Sequence, residues 1–242
     1  MSAVRIAIDE KRYANGAVVI ANFQLTLATH EFVCLVGPSG CGKTTLLNLI
    51  SGLDGDFTGT IQWPNPNNRL KVGYIFQNPR LLPWRTVREN ITLPLTAGQY
   101  DAATIDAMLA SMDLTDVQHA YPGHLSLGMN RRVSILRAFA TDPELLLMDE
   151  PFVSLDPATA RQARFLLLQL WRQRPHTVLF VTHDLREAIV LADRLIFLAA
   201  KPMSVIGCEK VTLNDQQRQD EQAVEAFRND LMTRVSGFGY TF

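Results

Sequence analysis

The stretch Gly37-Pro38-Ser39-Gly40-Cys41-Gly42-Lys43-Thr44-Thr45 limits what this chain can fold into more than any other. Gly37, Gly42, Lys43 and Thr44 complete the pattern G-x-x-x-x-G-K-[ST], a loop whose backbone N–H groups turn inward around a phosphate. Each position has a physical task. The glycines remove Cβ hindrance, Lys43 can reach β- and γ-phosphates, and the Thr44 hydroxyl can bind Mg²⁺. The apolar run Phe32-Val33-Cys34-Leu35-Val36 predicts a buried strand before the loop. Thr45-Leu46-Leu47-Asn48-Leu49-Ile50 predicts a helix after it, with its N-terminus toward the anion. Cys41 lies beside that helix start and Lys43, surroundings that favour a thiolate.

Around this loop the chain predicts an α/β fold. Val4–Ile8, Ala17–Ile20 and Phe23–Leu27 alternate apolar and polar residues and read as antiparallel strands. Gly59–Trp63 and Val72–Phe76 read as two further strands, with a Pro- and Asn-rich surface loop between them. Helical periodicity then takes over around Val87–Leu93, Ala102–Met112 and Leu127–Ala140, as in an inserted helical lobe. Strands at Leu145–Met148, Thr177–Val181 and Arg194–Leu198 alternate with helices at Ala158–Trp171 and Leu185–Leu191, the texture of a parallel sheet. The polar segment after Asn214 predicts a C-terminal amphipathic helix packed on the core.

Composition excludes several classes. A chain of 242 residues, 47% hydrophobic, can bury one domain or two closely packed lobes. A net charge of −1 without a Lys/Arg block argues against nucleic acid as a partner. Cys34, Cys41 and Cys208 have neither disulfide nor metal-site spacing, which fits a reducing cytoplasm. The first residues lack a secretory apolar stretch, and no run approaches the roughly 20 apolar residues that span a bilayer. Membrane association is therefore expected only through a partner.

Leu145-Leu146-Leu147-Met148-Asp149-Glu150 is an apolar strand ending in two acids, at the strand end where α/β sheets place ligands. Asp149 could hold a Mg²⁺ shell and Glu150 could polarise an attacking water, since phosphoryl transfer needs positioning and charge stabilisation above all. Without the phosphate loop the same pair reads equally as a solvated turn.

With these motifs in order, the chain resembles the nucleotide-binding subunits of ATP-binding cassette (ABC) transporters, over almost its whole length. After the Walker A loop come Tyr74-Ile75-Phe76-Gln77 (Q-loop), Leu125-Ser126-Leu127-Gly128-Met129 (signature), Asp149-Glu150-Pro151 (Walker B), Ser154-Leu155-Asp156 (D-loop) and Thr182-His183-Asp184 (switch histidine). The resemblance implies a P-loop NTPase with a RecA-like core, an antiparallel β subdomain and an inserted α-helical subdomain. It divides the chain into a core lobe, 1–78 with 142–242, and a helical signature lobe, 79–141.

Further roles are implied by the resemblance. Gln77 couples the Mg²⁺ and γ-phosphate site to the helical lobe, although alone it is an ordinary strand-end polar residue. His183 faces the γ-phosphate, Asp156 contacts the opposite subunit or simply starts a helix ahead of Pro157, and Tyr13 stacks on adenine or is an ordinary surface tyrosine. ATP and Mg²⁺ are the implied ligands. A second copy, a membrane permease and a solute-binding protein are the implied partners, with the subunit on the cytoplasmic side of the membrane.

The signature departs from the family. Leu127 stands where Leu-Ser-Gly-Gly has its first glycine, putting a bulky side chain at the joint where Ser126 and the helix start grip the other subunit's γ-phosphate. Arg80-Leu81-Leu82-Pro83-Trp84-Arg85-Thr86-Val87, with Asn90, resembles the nitrate/sulfonate/taurine group of importers. An exposed Leu-Leu-Pro-Trp there suits contact with a permease, and the alternative is a hydrophobic plug between lobes. The competing function is a non-transport subunit, or a regulatory nucleotide-binding module with little turnover.

Overall fold

The computed structural model describes residues 3–64, 70–96 and 101–236. The Pro- and Asn-rich loop expected at the surface before Val72 falls largely at 65–69, outside the described residues. In chain order the elements are β1 (Ala3–Arg12), β2 (Val18–Ala28), β3 (Phe32–Val36), α1 (Lys43–Ser51), β4 (Thr58–Gln62), β5 (Val72–Ile75), α2 (Val87–Thr92) and α3 (Ala102–Ser111). They continue as α4 (Leu127–Ala140), β6 (Leu145–Asp149), α5 (Pro157–Gln173), β7 (Thr177–Thr182), α6 (Leu185–Leu191), β8 (Arg194–Leu198), β9 (Val205–Lys210) and α7 (Glu221–Ser236). The chain forms two compact units, one drawn from Met1–Leu70 and Thr177–Phe242, the other from Lys71–His176.

In the first unit β1 pairs antiparallel with β2 on one side and with β4 on the other. The segments read as separate strands at 17–20 and 23–27 are one strand, because Asn22 takes a left-handed conformation (φ 51°) that asparagine tolerates, and pairing resumes beyond it. A second sheet places β3 between β7 and β8, parallel to both, with β9 antiparallel on the outer edge of β8. Every residue of β3 and β7 is buried, which explains their unbroken apolar sequences: a parallel strand covered on both faces has no solvent side to mark. β9 was not foreseen. Val205-Ile206-Gly207-Cys208-Glu209-Lys210 carries a glycine and two charges, tolerable only because an edge strand is half exposed. The C-terminal helix α7 is amphipathic as expected, burying Val224, Leu231 and Val235, and Glu225 pairs with Arg186 of α6 at 2.9 Å.

In the second unit β5 and β6 are parallel, from Val72 opposite Leu145 to Ile75 opposite Met148. The helices start where side chains can accept orphan backbone N–H groups. Thr86 and Glu89 form a reciprocal capping box on α2, and Asp101, Ser126 and Asp156 cap α3, α4 and α5. The helical lobe expected at 79–141 lies within this unit, which also holds β5, β6 and α5.

Candidate functional site

In the first unit the parallel register sets Val36 of β3 opposite Thr182 of β7, so Gly37 and His183 leave adjacent strands at the same end. The loop from Gly37 closes on α1, whose cap position Gly42 has φ 118° and no capping side chain. A Cβ on Gly42 would stand 2.9 Å from Val19 Cγ1, so both conformation and space require glycine. Lys43 is buried, its Nζ donating to the carbonyls of Gly37 at 2.8 Å and Pro38 at 3.0 Å. The ammonium is thereby held inside the curve of the loop, while Pro38, Ser39, Gly40 and Thr44 are exposed. The Tyr13 hydroxyl lies 2.9 Å from Thr45 Oγ1, anchoring a ring that is 50% exposed beside the loop.

Cys41 points the other way. It is 1% exposed, so whatever its acidity the thiol is shielded, and its backbone, donating to Pro38 O at 3.3 Å, shapes the loop. His183 is exposed between two fixed neighbours. The buried Thr182 hydroxyl donates to Glu187 at 3.0 Å and accepts from Asp184 N at 3.0 Å, while Asp184 caps α6 through Arg186 N at 2.8 Å. Strand end, buried hydroxyl and helix cap together set the backbone that presents the imidazole.

In the second unit β5 and β6 also end together. Gln77 follows β5 by two residues and is exposed, Asp149 ends β6 and is buried, and the half-buried Glu150 has φ 42°. A left-handed glutamate is a strained position of the kind found where a side chain must be aimed. Below Gln77, Tyr74 and Phe76 stack at 4.0 Å and the Arg80 guanidinium covers Phe76 at 4.1 Å. At the start of α4 the Ser126 hydroxyl accepts from Met129 N at 3.2 Å. Leu127, the first helical residue, is 45% exposed, whereas Gly128 is buried where a Cβ would meet Thr159 Cγ2 at 2.6 Å. Asp156 accepts from Ala158 N at 3.1 Å and Thr159 N at 3.0 Å, and hydrogen bonds from the Thr159 side chain and backbone hold its carboxyl below the usual range. Trp84 is 69% exposed, while Asn90 is buried and bonds Leu82 N at 2.8 Å and the carbonyls of Leu82, Arg85 and Thr86.

Sequence reading missed Arg131, a buried residue whose guanidinium donates to the carbonyls of Gln77 and Val153. Burial pulls its pKa below the ordinary arginine value. Arg131-Arg132 looks like a solvated pair, but Gly128, Arg131 and Ile135 recur at helical spacing and are all buried. It also missed Glu187, the partner that holds Thr182 under His183.

A glycine-closed loop between a buried parallel strand and a helix, with lysine and threonine at the helix start, defines a P-loop nucleotide-binding protein of the α/β class. The sequence profile described as ABC transporter matches residues 20–153. The chain is 40% identical over 210 residues to the aliphatic sulfonates import ATP-binding protein SsuB of Bacillus subtilis (strain 168), covering 83% of this chain and 81% of that one. It is 39% identical over 221 residues to the nitrate import ATP-binding protein NrtD of Synechococcus elongatus, covering 86% and 79%. Two solved dimers of the cassette MJ0796 share its fold across 87% of this chain and all of theirs. The post-hydrolysis dimer bound to ADP and Pi has a TM-score of 0.72 at 28% identity, and the second dimer 0.74 at 29%. The chain belongs to the ATP-binding family of ABC transporters and has the cassette fold of its ATPases, with a P-loop core, an antiparallel β sheet and inserted helices.

Proposed function

We propose that two copies of the chain close around ATP and drive a separate integral membrane permease that imports a small solute delivered by a solute-binding protein. The solute class is an aliphatic sulfonate, nitrate, taurine or a related compound; the names of the two import relatives support the first two. The observation that carries the reading is the loop at the end of β3, with Lys43 drawn inside its curve and His183 leaving the neighbouring strand at the same end. None of the described helices is long and apolar enough to cross a membrane, in keeping with a peripheral subunit held to the cytoplasmic face by its permease. The half-buried Leu81 and Leu82 and the exposed Pro83 and Trp84 are the proposed contact.

Residues 1–78 and 142–242 are proposed as the core lobe and 79–141 as the signature lobe. The backbone from Gly37 to Thr45 and Lys43 hold the phosphates, and the Tyr13 ring stacks on adenine. The Thr44 hydroxyl, Gln77 amide and Asp149 carboxylate are oxygen donors of the kind Mg²⁺ takes, and they would be its protein ligands. When bound, it neutralises charge developing on the phosphates. Glu150 accepts the proton of the attacking water, and His183 donates a hydrogen bond to the γ-phosphate. Ser126, Leu127, Gly128 and Met129 at the start of α4, with Asp156, meet the nucleotide bound by the other copy.

Glu150→Gln keeps shape and removes the base. The expected outcome is ATP retained without turnover and an ATP-dependent dimer on gel filtration. Hydrolysis at the wild-type rate would refute the assignment. Stimulation of the wild type by its copurified permease separates transport from a regulatory module, for which the rate would be low and indifferent to any membrane protein.

A further inference from the structure

Arg131 belongs to none of the motifs, yet it is an unusual charge within the second unit. It is 4% exposed. Nη1 donates to the carbonyl of Gln77, Nη2 donates to the carbonyl of Val153 at 3.2 Å, and among the described residues Nε is buried without a hydrogen-bond partner. No carboxylate pairs with it among the described residues. Replacing a buried charged group by an apolar side chain of similar volume is often neutral or stabilising, so a contribution to stability is weak grounds for its presence. What the guanidinium supplies is direction, two donors in a rigid fork that join two backbone segments.

The two segments are informative. Gln77 follows β5 and Val153 stands three residues beyond Glu150, so a single side chain on α4 spans the backbone behind both groups proposed to act at the γ-phosphate. Six residues later, about one and two-thirds turns, Arg137 repeats the grip, donating to Arg80 O at 2.9 Å and Pro79 O at 2.7 Å. The backbone from Gln77 to Arg80 therefore hangs on one helix, whose first turn is the signature.

We propose that Arg131 is a positioning residue for hydrolysis: it fixes the main chain of Gln77 to the loop after Glu150, so that a shift of α4 moves both together. The proposal rests on the ATPase reading above. It makes α4 the link between phosphate sensed at Ser126 and the segment leading to Trp84.

The test uses the full chain as Arg131→Met and Arg131→Lys, read by amide hydrogen exchange and steady-state kinetics. In Arg131→Met, exchange is expected to rise about tenfold or more in peptides covering 76–80 and 151–155, while 133–140 stays protected. The kcat should fall about tenfold or more with KM for ATP within about twofold, because the substitution touches positioning and not nucleotide binding. Arg131→Lys should lie between, since an ammonium lacks the planar fork. In a Gln77→Ala background the Met substitution should cost less than in the wild type but not nothing, because the path through Val153 and the loop after Glu150 remains. Unchanged exchange at 76–80 overturns the proposal, as does a loss of activity that only follows the melting temperature. If Arg131→Met does not fold, the exchange of Arg131→Lys decides by the same criterion. A wild type without ATPase activity would sink the functional reading instead, leaving the exchange result standing.

Discussion

Leu127→Gly tests what the signature substitution does. Leu127 occupies the first position of α4 and is 45% exposed, so its side chain fills no cavity in its own chain. Fully burying a leucine contributes about 1.5–3 kcal/mol, so removing one that is about half buried costs about 1 kcal/mol. Glycine at the start of a helix adds a fraction of that, giving a melting temperature lower by about 2–4 °C for a chain of this length. At the closed dimer the sign reverses. In the dimer proposed above, a leucine adds four side-chain carbons where the family pattern has glycine, and such overpacking would cost about 1–3 kcal/mol. Relieving it should raise the ATPase rate of the isolated subunit by several-fold up to about a hundredfold, with ATP affinity of the monomer unchanged. ATPase rate and ATP-dependent dimerisation are measured together with Glu150 intact. A lower rate on Leu127→Gly would refute the overpacking argument and make leucine an adapted contact with the second copy.

Lys43→Ala should weaken ATP binding more than tenfold by calorimetry, the equivalent of one charge-assisted contact of about 1.5–3 kcal/mol. Unchanged affinity would remove the lysine from the site. Gly128→Ala should destabilise the chain because the new Cβ meets Thr159 Cγ2 at 2.6 Å, and Thr159→Ser, which deletes that methyl, should recover much of the loss in a thermal melt. A Gly128→Ala chain that melts with the wild type would show that the close approach is not felt. Maleimide should label the exposed Cys208 readily and Cys41 slowly even without nucleotide, since Cys41 is 1% exposed; peptide mass spectrometry showing equal labelling would mean that the loop opens.

What could be read from sequence follows how each element is stabilised. The phosphate loop was legible because its constraints are local: Gly42 needs φ 118°, and Lys43 reaches carbonyls only five and six residues away. The buried parallel strands were legible because β3 and β7 are covered on both faces and tolerate only apolar residues. β9 was not, because an edge strand is specified by its one neighbour, β8, and its own residues are half polar. Arg131 was hidden for the opposite reason. Its role depends on carbonyls 54 residues before it and 22 after it, and carbonyls carry no sequence signature. Cys41 shows the limit of proximity arguments: its neighbours in sequence favour a thiolate, but the turn of the loop buries the sulfur.

The two adjacent signature positions separate by the same physics. Gly128 is required by the chain itself, since Thr159 at the start of α5 leaves no room for a Cβ, and it is retained. Leu127 faces outward, where nothing in its own chain penalises a large side chain, and there the family pattern has changed. A residue constrained from within can vary only if its neighbour varies too. One constrained only by a partner can vary with the partner surface or with the strength of closure that the complex needs. In the dimer proposed above, Leu127 would therefore specify the assembled state and not the fold. Arg131, one helical turn later, bonds the carbonyls of Gln77 and Val153, so in the positioning role proposed above a displacement at that first turn would reach the backbone of Gln77 and of the loop after Glu150.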